Sequence, residues 1–215
     1  MSVLCIYGCG GMGREIADLA HRLDNWDKIV FVDDNIRTRL VDDVEVFTLD
    51  EVKQQYASGE AEFIVTAGEP SSRTALYEKL RDEKLKCVNV ITPEFVLSKF
   101  SSIAQGTIVH MGALATCNVH IGFGCLINKN VVIGHDVQVG DYCVISPSVA
   151  VGGNVQIGNN CYIGSGALIR NGITIGHNSI VGMGAVVLKD VEPYSVMIGN
   201  PAKLLRKNVE NRVFR

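Results

Sequence analysis

The chain has no excess of basic charge: 20 Lys and Arg stand against 23 Asp and Glu in 215 residues, a formal net charge of −3. No basic run is longer than a few residues, so no nucleic-acid or other polyanion surface is expected. No apolar stretch reaches the roughly eighteen residues that a membrane span requires. The opening MSVLCIYG enters a strand at once, without the layout of a secretory leader, and a cytoplasmic location is expected. The 7 cysteines are odd in number and contain no C-x-x-C pair. In a reducing compartment that spacing leads us to expect neither disulfides nor a metal site.

What is present is the composition of a packed globular protein, 47% hydrophobic and 20% charged, with room for one large domain or two small ones. Over the first ninety residues apolar runs alternate with helical patterns. VLCIYG reads as a buried strand, and GREIADLAHRL as an amphipathic helix with Ile16, Leu19, Ala20 and Leu23 on one face. KIVFVDD and EFIVTAG read as further strands, and SSRTALYEKLRDEK as a second helix that Ser71 or Ser72 can cap. This alternation predicts a small Rossmann-like parallel α/β sheet.

Between the first strand and helix, YGCGGMG spells G-x-G-x-x-G across Gly8, Gly10 and Gly13, and Asp33 and Asp34 close the second strand. Glycines permit a tight turn and let a phosphate approach the amide protons of a helix N-terminus. Ligands of open parallel sheets lie beyond the carboxyl ends of the strands. Here the glycine loop, the acidic pair and Gly68 converge on that crevice. The motif does not separate NAD from other nucleotides, and a ligand-free βα turn carries the same glycines. The segment is too short for a two-half dinucleotide fold beside a catalytic domain, which favours a mononucleotide.

From Ile103 the chain falls into fifteen consecutive hexads, from IAQGTI to VLKDVE, without an insertion. The first position is Ile or Val in all but Ala115, the second is often Gly, and the fifth is small or β-branched from Thr107 to Val191. Looser hexads, ITPEFV and LSKFSS, extend the pattern back to about residue 91. A flat segment and a corner every six residues make a three-sided prism, with eighteen residues to a coil and coils stacked roughly 4.8 Å apart. First- and fifth-position side chains fill the interior. Cys125, Cys143 and Cys161 share the fifth position in successive coils and form an inward ladder of small apolar groups. The N-terminal domain and the tail after Pro193 are expected to cover the open ends.

The hexads resemble those of the hexapeptide-repeat acyltransferases. The order IYGCGGMG, FVDD, TAGEPSSR, VVIGHDVQVGD, GGNVQIGNNCYIGSGA and IGNPAK resembles the PglD/NeuD-like sugar acetyltransferases over nearly the whole chain. The resemblance implies a left-handed parallel β-helix, against the usual crossover hand, over residues 89–215, after a nucleotide-sugar-binding domain over 1–88. It implies acetyl-CoA as co-substrate, no metal, a homotrimer, and acetylation of the amine of a nucleotide-linked amino sugar, with the glycine loop holding the nucleotide. The expected setting is the synthesis of surface polysaccharide or glycan precursors, lipopolysaccharide among them.

Carried over residue by residue, the resemblance makes His135 the general base, Asp136 the acid that raises its basicity, and Gly153 an amide donor to the thioester carbonyl. Gly153 and Asn154 stand one coil from His135 and Asp136 by the eighteen-residue rule. Asn128 matches a family asparagine, or steadies a corner. Val144, Ser165 and Met183 match acetyl-CoA positions in a groove between columns, with Asn200 and Lys203 at its nucleotide end. Gly10, Gly11, Met12, Asp33, Asp34, Gly68 and Arg73 match the sugar-nucleotide site, with Arg73 serving a phosphate or a helix-surface ion pair. Met12 stands where such loops often carry histidine, and Glu69-Pro70 where the family often has asparagine or aspartate. Of the other histidines, His21 is expected to be solvated, and His110, His120 and His177 lack an adjacent acid. Interfacial histidines can also build a zinc site, as in γ-type carbonic anhydrases, but only His135 has an acid beside it. Outward apolar residues, including Met111, Phe123, Tyr142 and Leu168, favour threefold packing of columns. Sugar O-acetylation, a nicotinamide-binding redox protein and a non-catalytic scaffold stay open as alternatives.

Overall fold

The computed structural model describes residues 1–57 and 59–213. It opens with β1 (Val3–Tyr7), α1 (Gly11–Leu23), β2 (Lys28–Val32), β3 (Leu40–Val41), β4 (Val44–Phe47), α2 (Leu49–Gln55), β5 (Ala61–Val65), α3 (Pro70–Asp82) and β6 (Lys86–Cys87). These strands form one sheet in the order β3-β4-β2-β1-β5-β6, with β1 parallel to both β2 and β5. Because side chains alternate along a strand, Leu4 and Ile6 face α1 through Ile16 and Leu19, while Val3 and Cys5 face α2 and α3 through Val52 and Leu80.

Two details depart from the expectation. Helix α3 starts at Pro70, whose fixed φ and missing N–H suit a first helical position, so Ser71 and Ser72 lie inside the first turn and cap nothing. Helix α2 was not read from the sequence, although Thr48 and Glu51 form a capping box. The Glu51 N–H donates to Thr48 Oγ1 at 3.2 Å, and the Thr48 N–H to Glu51 Oε2 at 2.8 Å.

The hexads wind into a left-handed parallel β-helix of three sheets. Every rung pairs with one eighteen residues away, as Val132 does with Ala150 and His120 with Gln138. First- and fifth-position residues make a continuous core from Val109 to Val191, with Cys125, Cys143 and Cys161 fully buried in it. Burial pushes the Cys143 thiol well up, so the middle rung of the ladder is chemically inert as well as apolar. The looser hexads are only partly wound: Val90–Ile91 pairs with Ile108–Val109, but no strand follows until Ser102.

The three outward faces differ in chemistry. One presents Leu114, Val132, Ala150, Leu168 and Val186, and a second Ser102, His120, Gln138, Gln156 and Thr174. The third presents Ile108, Leu126 and Val144, and is covered by the α/β domain, whose Ile16 and Leu19 share its cluster. The domain therefore lies alongside the column and does not close an end. The ends are closed by Phe95, and by Met197 and Ala202 of the tail, which pack against the column core.

Arg73 ties the two parts together. It is fully buried, and its guanidinium donates to Gly124 O at 2.9 and 2.7 Å and to Cys125 O at 3.3 Å. It also holds Val65 O and Ala67 O at 2.9 Å, the carbonyls that lead from β5 into Gly68. Phe123 and Tyr142 are likewise not on an open face: their rings pack on Tyr77 of α3 at 5.1 and 6.2 Å between centroids.

Candidate active site

His135 stands at the corner between the apolar and polar faces, below Gly153 and above Cys117. Its Nδ1 bonds Asp136 Oδ2 at 2.7 Å. A carboxylate only accepts, so Nδ1 carries a proton, and in the neutral ring Nε2 is the nitrogen with the lone pair. Asp136 takes the left-handed conformation, φ 60°, which turns its carboxylate back to its neighbour's ring. Asn118, one coil below, donates from Nδ2 to the other oxygen at 2.6 Å. The Asn118 and His135 hydrogen bonds together hold the Asp136 carboxyl below its ordinary range. The ring is open, with 59% of its side chain exposed.

Gly153 makes room for that ring. A β-carbon there would stand 2.5 Å from Nε2 and 2.7 Å from Cε1. No backbone carbonyl among the described residues takes up the Gly153 N–H, whereas the Asn154 N–H is bonded to His135 O at 2.7 Å. The corner thus places a basic nitrogen beside an unengaged amide.

Ser165 and Met183 occupy the corner between the covered and apolar faces, one coil apart, with the Gly184 N–H bonded to Ser165 O at 2.9 Å. Asn200 follows at the top of the same corner, where Gly199 O accepts from Val186 N at 3.0 Å, and Lys203 opens the last strand. All but Ser165 are exposed, Met183 to 81%. Beside them Gly166 and Gly184 meet nothing within 4 Å, which leaves an open ridge fit for an extended ligand. Val144 does not belong to it. It is 3% exposed beneath the α/β domain, because its even position faces outward on the covered sheet.

At the carboxyl ends of β1 and β2, the glycine loop turns on Gly8 at φ 112° and leads into α1 with Gly10 at its N-cap. Gly13 lies so close to Gly8 O that no side chain fits. Gly10, Gly11 and Gly68 border open space. Asp33 faces this loop, accepting from Cys9 Sγ at 3.3 Å and the Asn35 N–H at 2.9 Å. Asp34 is engaged elsewhere, by Lys79 Nζ at 2.6 Å, the Tyr7 hydroxyl and the Leu49 N–H. Met12 packs into the apolar contact with the column, and Glu69 accepts from the Val213 N–H at 2.8 Å. Arg73 serves neither a phosphate nor a surface ion pair, since its donors are spent on buried carbonyls.

Sequence reasoning missed His110. It is 1% exposed between α1 and the column, with neither ring nitrogen hydrogen-bonded, and Glu15 Oε2, already bound by Lys129 at 2.6 Å, stands 3.6 Å off. Burial lowers its pKa. Its second hexad position gave no signal of this, since burial there comes from helix α1 of the α/β domain, about ninety residues earlier in the chain.

The His135 corner and the glycine loop lie on different sides of one protomer. The α/β domain covers one face, and His135 occupies the corner opposite that face. Helix α1 reaches instead to the Ser165 corner, where Glu15 meets Lys129.

The chain matches known proteins on both parts. Residues 3–80 match the PglD N-terminal domain, and residues 118–153 and 154–189 the bacterial transferase hexapeptide (six repeats). A mutant perosamine N-acetyltransferase from Caulobacter crescentus, solved with CoA and GDP-perosamine, is 30% identical at a TM-score of 0.89, over 96% of this chain and 98% of that one. The acetyltransferase domain of PglB from Neisseria gonorrhoeae, with acetyl coenzyme A, is 29% identical at 0.89, over 94% and 98%. WeeI from Acinetobacter baumannii is 26% identical at 0.89, over 95% and 100%. No curated protein sequence matches significantly. No helix among the described residues is long and apolar enough to cross a membrane.

Proposed function

The chain belongs to the PglD-like hexapeptide-repeat acetyltransferases, and from that premise we propose that it acetylates the amino group of a nucleotide-linked amino sugar with His135 as general base. The observation that carries the reading is the His135–Asp136 pair at 2.7 Å, with a free Nε2 set over Gly153.

Acetyl-CoA supplies the acyl group as a thioester, held along the ridge of Ser165, Met183, Asn200 and Lys203. The sugar amine attacks the thioester carbon, Nε2 of His135 takes the proton it sheds, and the adduct collapses with cleavage of the carbon–sulfur bond, so that coenzyme A leaves as a thiolate and takes up a proton as the free thiol. Asp136 stabilises the imidazolium through Nδ1–H, and the Gly153 N–H faces the oxygen on which negative charge develops. The nucleotide rests at Gly10, Gly11 and Met12, with Asp33 for ribose or base and Gly68 bordering the sugar. Asp34 contributes indirectly, by fixing the end of β2.

A homotrimer completes the site. The face of Leu114, Val132 and Leu168, exposed to 48, 42 and 48%, has no partner in one protomer, while the polar face beside it needs none. Packing three such faces about an axis brings the Ser165 corner of each protomer against the His135 corner of the next. The glycine loop then shares a cleft with a neighbour's imidazole, which its own corner cannot reach.

Incubation with acetyl-CoA and a panel of UDP-, dTDP- and GDP-linked aminodeoxy sugars, followed by free thiol, tests the reading. Thiol release with an amino sugar and not with its hydroxyl counterpart supports it. Release only with the hydroxyl sugar assigns O-acetylation, and release with neither removes the proposal.

A further inference from the structure

The hydrogen bonds at the catalytic corner do not stop at the His–Asp pair. Asn118 Oδ1 lies 3.2 Å from His120 Nε2, and His120 Nδ1 lies 2.7 Å from Ser102 Oγ. We propose that Asn118, His120 and Ser102 form a positioning relay, spanning two coils, that locks the Asp136 carboxylate and through it the reactive tautomer of His135. The inference deepens the acetyl-transfer reading and rests on it for its kinetic consequence.

The register of the column makes the relay. Eighteen-residue stacking sets Asn118 below Asp136 and Ser102 below His120, whose α-carbons are ladder partners. The direction of every bond follows from Asp136 being an acceptor only. Its Oδ1 requires the amide NH₂ of Asn118, so the Asn118 oxygen turns toward His120. His120 must then donate from Nε2, which leaves Nδ1 to accept the Ser102 hydroxyl proton. Reversing the Asn118 amide would set oxygen against oxygen at Asp136 and N–H against N–H at His120. Donors therefore converge on one carboxylate from both sides, His135 on Oδ2 and the relay on Oδ1.

The other side chains around Asp136 do not duplicate this work. On the coil above, Gly153 and Asn154 carry no titrating group. Below, Cys117 and His120 are the titratable side chains, and of these only His120 is hydrogen-bonded to Asn118. On the faces adjoining the corner, Val132 and Gln138 are uncharged. Without the relay, the exposed Asp136 side chain is free to rotate away from Nδ1, and the His135 ring loses the group that distinguishes its two nitrogens.

The test uses two substitutions, each chosen to avoid a trivial loss of fold. Asn118 has φ 56°, so Asn118→Gly removes the amide without backbone strain. His120→Phe removes the second link and keeps a flat ring, whereas His120→Gln retains an N–H for Asn118. ¹⁵N spectra of His135 in the free full-length protein report the tautomer without reference to turnover. The expected result is a single Nδ1–H form in the natural protein, mixed tautomers in Asn118→Gly and His120→Phe, and recovery in His120→Gln. In acetyl transfer we expect kcat to fall about tenfold in the first two variants, with the KM for acetyl-CoA unchanged and the acid limb of kcat/KM displaced. An unaltered His135 spectrum in both variants overturns the relay, even if the enzyme proves to acetylate sugars. A changed spectrum in a protein without sugar acetyltransferase activity keeps the relay and removes the proposed reaction.

Discussion

His135 and Gly153 stand one coil apart, with the imidazole so close over the glycine that a β-carbon placed there would lie 2.5 Å from Nε2. Contact at that distance is repulsive, and Gly153 is not at a positive φ, so alanine suits the backbone and the three atoms its β-carbon meets first all belong to the ring. Gly153→Ala is expected to lower kcat by at least tenfold while leaving thermal stability near that of the natural protein. Steady-state kinetics beside a melting curve check this, and full activity would show that the ring works in another position.

His135→Asn removes the proposed base and keeps a polar side chain of similar reach. General-base catalysis contributes about 10²–10⁴-fold, and a loss of that order is expected in thiol release from acetyl-CoA with the amino-sugar acceptor. Oligomer mass is expected to be unchanged. A variant turning over at the natural rate would show that the amine loses its proton elsewhere.

His110 predicts how stability depends on pH. Burial lowers its pKa in the folded protein below the ordinary histidine value of about 6.5. Between the folded and unfolded values the unfolded chain binds more protons, so stability falls as pH drops below about 6.5 and recovers above it. His110→Leu removes the titration and two unpaired buried nitrogens. Its melting temperature is expected to exceed that of the natural protein and to change less between pH 7.5 and pH 5.5. A steeper acid dependence in the leucine variant would contradict a neutral buried imidazole.

Arg73 is a buried cation held by carbonyls from both domains, with no carboxylate bonded to it. Arg73→Met takes the guanidinium donors away from the Val65, Ala67 and Gly124 carbonyls inside the protein, while Cys125 O keeps the Ile108 N–H, at a cost of about 3–5 kcal/mol. Arg73→Lys presents a compact head in place of the planar fork and recovers only part of that. Urea unfolding of the two variants measures the difference. Equal midpoints for arginine and methionine would mean that water reaches these carbonyls.

Leu168 lies in the middle of the apolar face. Leu168→Asp places a charge where three faces are proposed to meet, and the expected result is a shift from trimer toward monomer with loss of transferase activity. Sedimentation velocity reads the mass directly. A natural protein that sediments as a monomer would remove the shared cleft altogether.

The unbroken hexads made the column legible. A period of six with no insertion fixes which residues lie eighteen apart, so the inward cysteines, the Gly153 over His135 and the alignment of Ser165 with Met183 could all be counted off the chain. Strands β1, β2 and β5 were equally plain, because each is a short apolar run closed by Gly or Asp, whereas the short edge strands β3, β4 and β6 were not read. Val144 and Arg73 were misread because a pattern of spacing carries no information about what packs against an outward position. Val144 is outward in the repeat and buried only because α1 covers that face. Arg73 looks like a surface residue of an amphipathic helix, yet its partners Gly124 and Cys125 are more than fifty positions away.

The sequence by itself determined the prism, its filling and the acid–base pair at one corner, since these depend on neighbours separated by one, six or eighteen residues. Tertiary structure alone decided which face the α/β domain occupies, which histidine is buried without a hydrogen bond among the described residues, and that the glycine loop and the His135 ring lie on opposite sides of one protomer. The physical reason is that a local period dictates a shape and a register. The choice of face belongs to complementary apolar surfaces and unpaired carbonyls, which exist only after the coil has formed.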